Sequence, residues 1–146
     1  LDEGRVGAYV ADFPVPALLG HPRALLTPHL GASTEEAEEN CAVMAADQLV
    51  DFLKTGNIRN SVNFPTVTLE PTGGYRIAVT NRNVPGILNK VTSVLADRQI
   101  NVVDMINKSR GDVAYNLIDV ADELDAKTLE AIRATDSVMN VREFRT

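Results

Sequence analysis

Over residues 75–144 the hydrophobic period switches repeatedly between two and about 3.6 residues, and this limits the fold more than any other feature of the chain. Tyr75, Ile77 and Val79 alternate with Arg76, Ala78 and Thr80, as in a strand with one buried face. After a polar loop, Pro85 and Gly86 open a helix that runs to about Arg98. Its stripe is Val84, Ile87, Leu88, Val91, Val94 and Leu95, spaced three and four apart. Residues 100–108 read as a strand, 109–112 as a tight turn containing Gly111, and 113–120 as a second strand. Asp125 caps a helix carrying Leu129 and Ile132, and residues 138–144 close as a last strand. The order strand, helix, strand, strand, helix, strand predicts an α+β, ferredoxin-like unit. Its antiparallel sheet would carry both helices on one face and leave the other face or the edges open. A unit this small, with open edges, is expected to pair with a second copy.

The first half reads differently. Residues 6–13 suggest a strand, and Pro14, Pro16, Gly20 and Pro22 then break the chain into a loop. Ala24, Leu25, Leu26 and Thr27 form a short apolar run stopped by Pro28, as in a strand buried on both faces. Residues 33–55 predict a long helix. Ser33 and Glu36 have the spacing of a capping box, and Glu35, Glu36, Glu38 and Glu39 suit the positive end of the helix dipole. Ala37, Cys41, Met44, Ala45, Leu49, Phe52 and Leu53 make one apolar stripe, which needs a partner surface; Cys41 and Met44 are expected as core residues. Gly56 stands where a C-terminal cap belongs. Residues 57–74 hold no helical period and read as an extended linker, with Val67 and Leu69 touching a surface.

Composition removes several function classes. The 146-residue chain is 45% hydrophobic and 23% charged, a globular balance. A net charge of −6 with no Lys/Arg cluster argues against nucleic acid and anionic lipid. No apolar run approaches the roughly 20 residues of a membrane span. One cysteine excludes an internal disulfide, and two histidines with one cysteine, unlike any ligand set in spacing, argue against a metal. No signal-like segment is seen, so a cytoplasmic location is expected. Residues 1–6 read as the middle of a domain, so a fragment of a longer protein is expected.

Two segments resemble known families. Residues 25–37, Leu-Leu-Thr-Pro-His-Leu-Gly-Ala-Ser-Thr-Glu-Glu-Ala, together with residues 60–65, Asn-Ser-Val-Asn-Phe-Pro, resemble the end of the nucleotide-binding domain of D-3-phosphoglycerate dehydrogenases, within the D-2-hydroxyacid dehydrogenase family. Residues 81–88, Asn-Arg-Asn-Val-Pro-Gly-Ile-Leu, with Ile100-Asn101-Val102, resemble an ACT domain, the amino-acid-sensing module found after that domain. The resemblance implies three regions: a truncated remnant of an α/β catalytic region over 1–60, ending in the long helix, a linker over 61–74, and an ACT regulatory domain over 75–146. It implies a parent that oxidises 3-phosphoglycerate with NAD at the first committed step of serine synthesis. It also implies an effector, serine first, sensed across a homodimer. The alternative is an ACT-like module that only assembles two chains and binds nothing.

Candidate site residues follow. His29 lies between a strand end and a helix start, where ligands bind in open α/β folds. The resemblance implies that it moves the proton at the substrate hydroxyl, work suited to an imidazole. The family's D-V-F-x-x-E-P carboxylate has no counterpart, since no Glu or Asp lies between Asp12 and His29. No acid partner is therefore assigned, and Asp12 and Gly31 are placed on the cofactor side. His21 reads as a solvated loop residue. No G-x-G-x-x-G turn occurs, so the chain alone is expected to bind no NAD and to be inactive as a dehydrogenase. For the effector, the resemblance implies Asn81, Asn83 and Asn101. Asn81 stands where a serine-binding relative carries His. Asn83 precedes a helix N-terminus able to receive a carboxylate, and an amide side chain both donates and accepts. The alternative roles are a helix cap for Asn83 and a turn for Asn101.

Overall fold

The computed structural model describes residues 1–145. It divides into two compact units, residues 1–45 and 46–145. In the first, β1 (Tyr9–Ala11) and β2 (Ala24–Leu26) form a two-stranded parallel pair. A one-turn 3-10 helix, Pro16–Leu18, lies in the proline-broken loop between them. Both strands are shorter than the sequence pattern suggests, and Leu25 is exposed rather than buried.

Helix α1 (Glu35–Thr55) runs across the division. Its cap lies one residue later than the sequence indicates: the Thr34 hydroxyl accepts from the Ala37 N–H at 3.2 Å. None of its residues is buried. Cys41, Met44, Leu49 and Leu53 are exposed, so the stripe is present without becoming core. Phe52 is the exception and packs beneath the sheet of the second unit. Gly56 ends the helix with φ +76°, its N–H donating to the Phe52 carbonyl at 3.0 Å. A Cβ at Gly56 would stand 2.9 Å from both Leu117 and Phe144, so the close approach also requires glycine.

The second unit has the expected topology. β3 (Tyr75–Arg82), α2 (Ile87–Ala96), β4 (Val102–Arg110), β5 (Val113–Val120), α3 (Ala126–Arg133) and β6 (Val138–Arg145) follow in order. The antiparallel sheet is ordered β4-β5-β3-β6, with β4 and β6 as its edges. Ile77, Val79, Ile118, Val120 and Val141 meet Ile87, Val91, Leu95 and Ile132 of the two helices in one core. Asp125 caps α3 as expected, its carboxylate accepting from the Thr128 N–H at 2.7 Å and from the Thr128 hydroxyl. Those bonds hold its pKa below the ordinary value.

The second face of this sheet is not left open. Residues 57–69 lie along it, tied by an antiparallel bridge between Ile58 and Val67. Both are buried with Ala78, Tyr115, Leu117 and Phe144 in a second core. Arg76 was expected on a solvated face but has no exposed surface. Its guanidinium grips Asp119 twice, at 2.5 and 2.9 Å, and donates to the carbonyls of Thr55, Leu69 and Glu70. Thr72 completes Asp119 at 3.1 Å. A buried ion pair is tolerated when its remaining donors and acceptors are met, and here the segment over 55–72 meets them.

Candidate functional site

The sequence candidates fall into two separate groups. The first is in residues 1–45. β1 ends one residue before Asp12 and β2 ends three residues before His29, and parallel pairing sets the two strand ends side by side. Asp12 Oδ2 and His29 Nδ1 are 2.9 Å apart. The Phe13 ring lies against the imidazole, 4.4 Å between centroids. The carboxylate that the structure sets against His29 is therefore Asp12, which sequence reasoning placed on the cofactor side; both side chains are more than half exposed. The signal was missed because the pairing comes from strand register, which an A-D-F-P segment does not advertise. Asp12 holds Nδ1 and leaves Nε2 as the imidazole nitrogen for other work. Gly31 follows in an exposed turn. His21 is not a free loop residue: its side chain is 16% exposed and bonds Asp2 at 2.9 Å. That bond lowers the Asp2 pKa.

The second group is in the sheet unit. Asn81 is wholly buried. Its Nδ2 donates to the Arg82 carbonyl at 2.7 Å and its Oδ1 accepts from Asn116 Nδ2 at 2.6 Å. Asn116 in turn accepts from Asn107 on edge strand β4. Asn81 thus presents nothing to a free ligand and belongs to a row of three amides crossing β3, β5 and β4. Asn107 and Asn116 were missed because each reads as an ordinary polar strand position.

Asn83 and Asn101 are both exposed. Asn83 does not cap α2. The N-cap is Gly86, with φ +82°, and no side chain caps the first turn; the Ile87 N–H reaches the Val84 carbonyl at 3.5 Å. Asn83 instead donates from Nδ2 to the Gly111 carbonyl at 3.1 Å, in the β4–β5 turn. The Asn101 carbonyl accepts from the Ala121 N–H at 3.0 Å, just past the other end of β5. The two asparagines therefore lie at opposite ends of an eight-residue strand, about 25 Å apart at strand rise. One chain does not bring them together.

The described residues contain no cluster of metal-ligating side chains and no helix long and apolar enough to cross a membrane. The family model for the ACT domain matches residues 75–135. Residues 75–135 form an ACT domain. Curated relatives named D-3-phosphoglycerate dehydrogenase extend the likeness to both halves. The Escherichia coli K12 protein is 32% identical over 81% of this chain and 29% of its own length. The Haemophilus influenzae protein is 30% identical over 97% of this chain and 38% of its own. A putative D-3-phosphoglycerate dehydrogenase of Schizosaccharomyces pombe is 37% identical over 67% of this chain and 22% of its own. The chain thus spans well under half the length of these relatives, as a C-terminal, ACT-containing part would. Among solved structures, the ACT domain from GTP pyrophosphokinase of Chlorobium tepidum aligns with a TM-score of 0.41 and 16% identity, over 48% of this chain and 95% of that one.

Proposed function

We propose that this ACT domain is a regulatory module that binds a free amino acid, serine first, between two copies of the chain. The observation that carries this reading is the separation of Asn83 and Asn101 along β5. β4 is an edge strand. Antiparallel pairing of two β4 edges sets residue 102 of one copy beside residue 110 of the other. That pairing carries Asn101 of one copy toward the Gly111 turn and Asn83 of its partner. An amino acid there would meet two amides and the uncapped first turn of α2, which suit its ammonium and carboxylate. Asn81 then acts from behind, through Asn116, as support for the edge strand.

The parent protein is, on this reading, an NAD-dependent D-3-phosphoglycerate dehydrogenase. His29, oriented by Asp12, would hold and move the proton at the substrate hydroxyl. NAD would supply the hydride acceptor from a site formed by other parts of that protein. Effector binding regulates such a parent only if its two states bind the effector with different affinities.

The test is calorimetric titration of the 146-residue chain with L-serine, with glycine as control, followed by Asn83→Ala and Asn101→Ala. Each variant alone should lose saturable heat. An equimolar mixture of the two should regain part of it, because a mixed dimer rebuilds one intact site. Serine binding that survives both substitutions, or a mixture as silent as its components, would reject the shared site. A chain that pairs yet gives no heat with either amino acid would favour the assembly-only reading.

A further inference from the structure

The second face of the sheet holds a cavity that no part of the effector reading uses. It measures about 460 Å3 and is lined entirely by residues of the second unit, within the roughly 300–1,000 Å3 of small-molecule sites. Phe52, Ile58, Phe64, Ala78 and Tyr115 make its apolar walls. Phe64 meets Tyr115 edge to face at 5.8 Å. Tyr115 spends its hydroxyl on the Gly56 carbonyl at 2.7 Å and so turns its ring to the cavity. Burial raises its pKa despite the nearby Arg142 and Arg76.

Three of its polar groups share the sheet side, and Gln48, Asn57, Arg59 and Ser61 stand elsewhere in the lining. Ala78 pairs with Arg142 and Thr80 with Asn140, so Arg142, Thr80 and Asn140 share one face across neighbouring strands. Arg142 lies over the rings of Phe52 and Phe144, 5.7 and 4.8 Å from their centroids, and donates Nη2 to the Leu53 carbonyl at 3.1 Å. Among the described residues no carboxylate lies within ion-pair distance of it. Arg59, also in the lining, is already paired with Asp51 at 3.5 Å. No Asp or Glu lines the cavity. A guanidinium has five donors, so most of those on Arg142 are open to an anion.

We propose that this cavity is a second binding site, for a small molecule with an aromatic-sized apolar body and one carboxylate, its head set on Arg142 and Asn140. The head would gain charge-assisted hydrogen bonds and the body would replace water against the aromatic walls. The site is distinct from Asn83 and Asn101, neither of which lines it, and it stands or falls apart from serine binding.

The experiment uses the isotopically labelled 146-residue chain and amide NMR, with 3-phenylpropionate as probe and neutral 3-phenylpropanamide as control. The carboxylate should give saturable shifts confined to residues 58–64, 78–80, 115 and 140–142. The neutral amide should bind about tenfold more weakly, the scale of one charge-assisted bond. Arg142→Gln should weaken the carboxylate by at least the same factor. Because Arg142 also supports Phe52 and Phe144, Asn140→Asp supplies the second variant. Asn140 is exposed, so the substitution keeps the fold while setting a like charge beside the head, and binding should fall about tenfold or more. Shifts that do not saturate, equal affinity for acid and amide, unchanged affinity in Asn140→Asp, or shifts centred on Asn83 and Asn101 would each overturn the proposal.

Discussion

Residues 1–45 and residues 46–145 obey the same chemistry with opposite results. The first unit has no buried residue at all, and its strands are three residues long. The second has two cores, one on each face of its sheet. Parallel strands are stable when both faces are covered. In the first unit Tyr9, Val10 and Leu25 are exposed, and nothing within that unit covers them. An antiparallel sheet covered by two helices and an ordered strap closes within about 100 residues. Local sequence decides whether a strand is possible, and coverage decides how strongly it is held.

The largest test of this contrast is Asp119→Ala. It would strand the wholly buried Arg76 guanidinium without its counter-charge, and breaking one partner of such a pair costs about 3–5 kcal/mol. Urea denaturation followed by Tyr fluorescence should report that loss, and a change under 1 kcal/mol would mean that water reaches Arg76. Gly56→Ala should cost about 2 kcal/mol, since its φ is positive and the new methyl meets Leu117 and Phe144 at 2.9 Å. By contrast, Met44→Ala and Leu49→Ala lie on exposed parts of α1, and each should stay within about 0.5 kcal/mol in this chain. A larger cost would show that the stripe has a covered face in solution.

Two smaller tests sharpen the account of the second unit. The Tyr115 hydroxyl is held un-ionised by burial, so its stabilisation is full below the ordinary phenol pKa of 10 and is lost as pH rises through the raised folded value. Alkaline titration at 295 nm should show a component resistant past that value, absent in Tyr115→Phe. The Asp125 cap works the other way. Its folded pKa is lowered by the Thr128 hydroxyl first and the Thr128 N–H second. Its contribution is therefore present above the ordinary carboxylate pKa and fades as pH falls through the folded one. Melting temperatures of the chain and of Asp125→Ala should differ at neutral pH and converge in acid.

The elements of residues 75–145 were legible because each carries its own period, from the Tyr75, Ile77, Val79 alternation to the Ile87, Val91, Leu95 stripe. The end of α1 was legible at Gly56 for the same local reason. Arg76 was not. Alternation correctly put it on the face opposite Ile77, but that face is covered by a segment with no period of its own. Only the three-dimensional path of residues 55–72 turns a solvent position into an interior one. The candidate site divides similarly. His29 was singled out from its flanking residues, and its contact with Asp12 comes only through the register of β1 against β2. Asn83 and Asn101 were singled out as residue types, and their distance apart needed the strand order.

The Arg76–Asp119 pair also guards against misassembly. The side-chain period of a strand is two, so a slip of β3 by one residue would drive the guanidinium into the apolar layer beneath α2 and α3. Its carbonyl partners at Thr55, Leu69 and Glu70 would lie on the wrong side of the sheet. A misaligned sheet would then hold an uncompensated ion where the aligned one holds a satisfied ion. The same two charges that add little to the depth of the native state thus make its near neighbours costly, and they keep a refolding chain from settling one residue out of step.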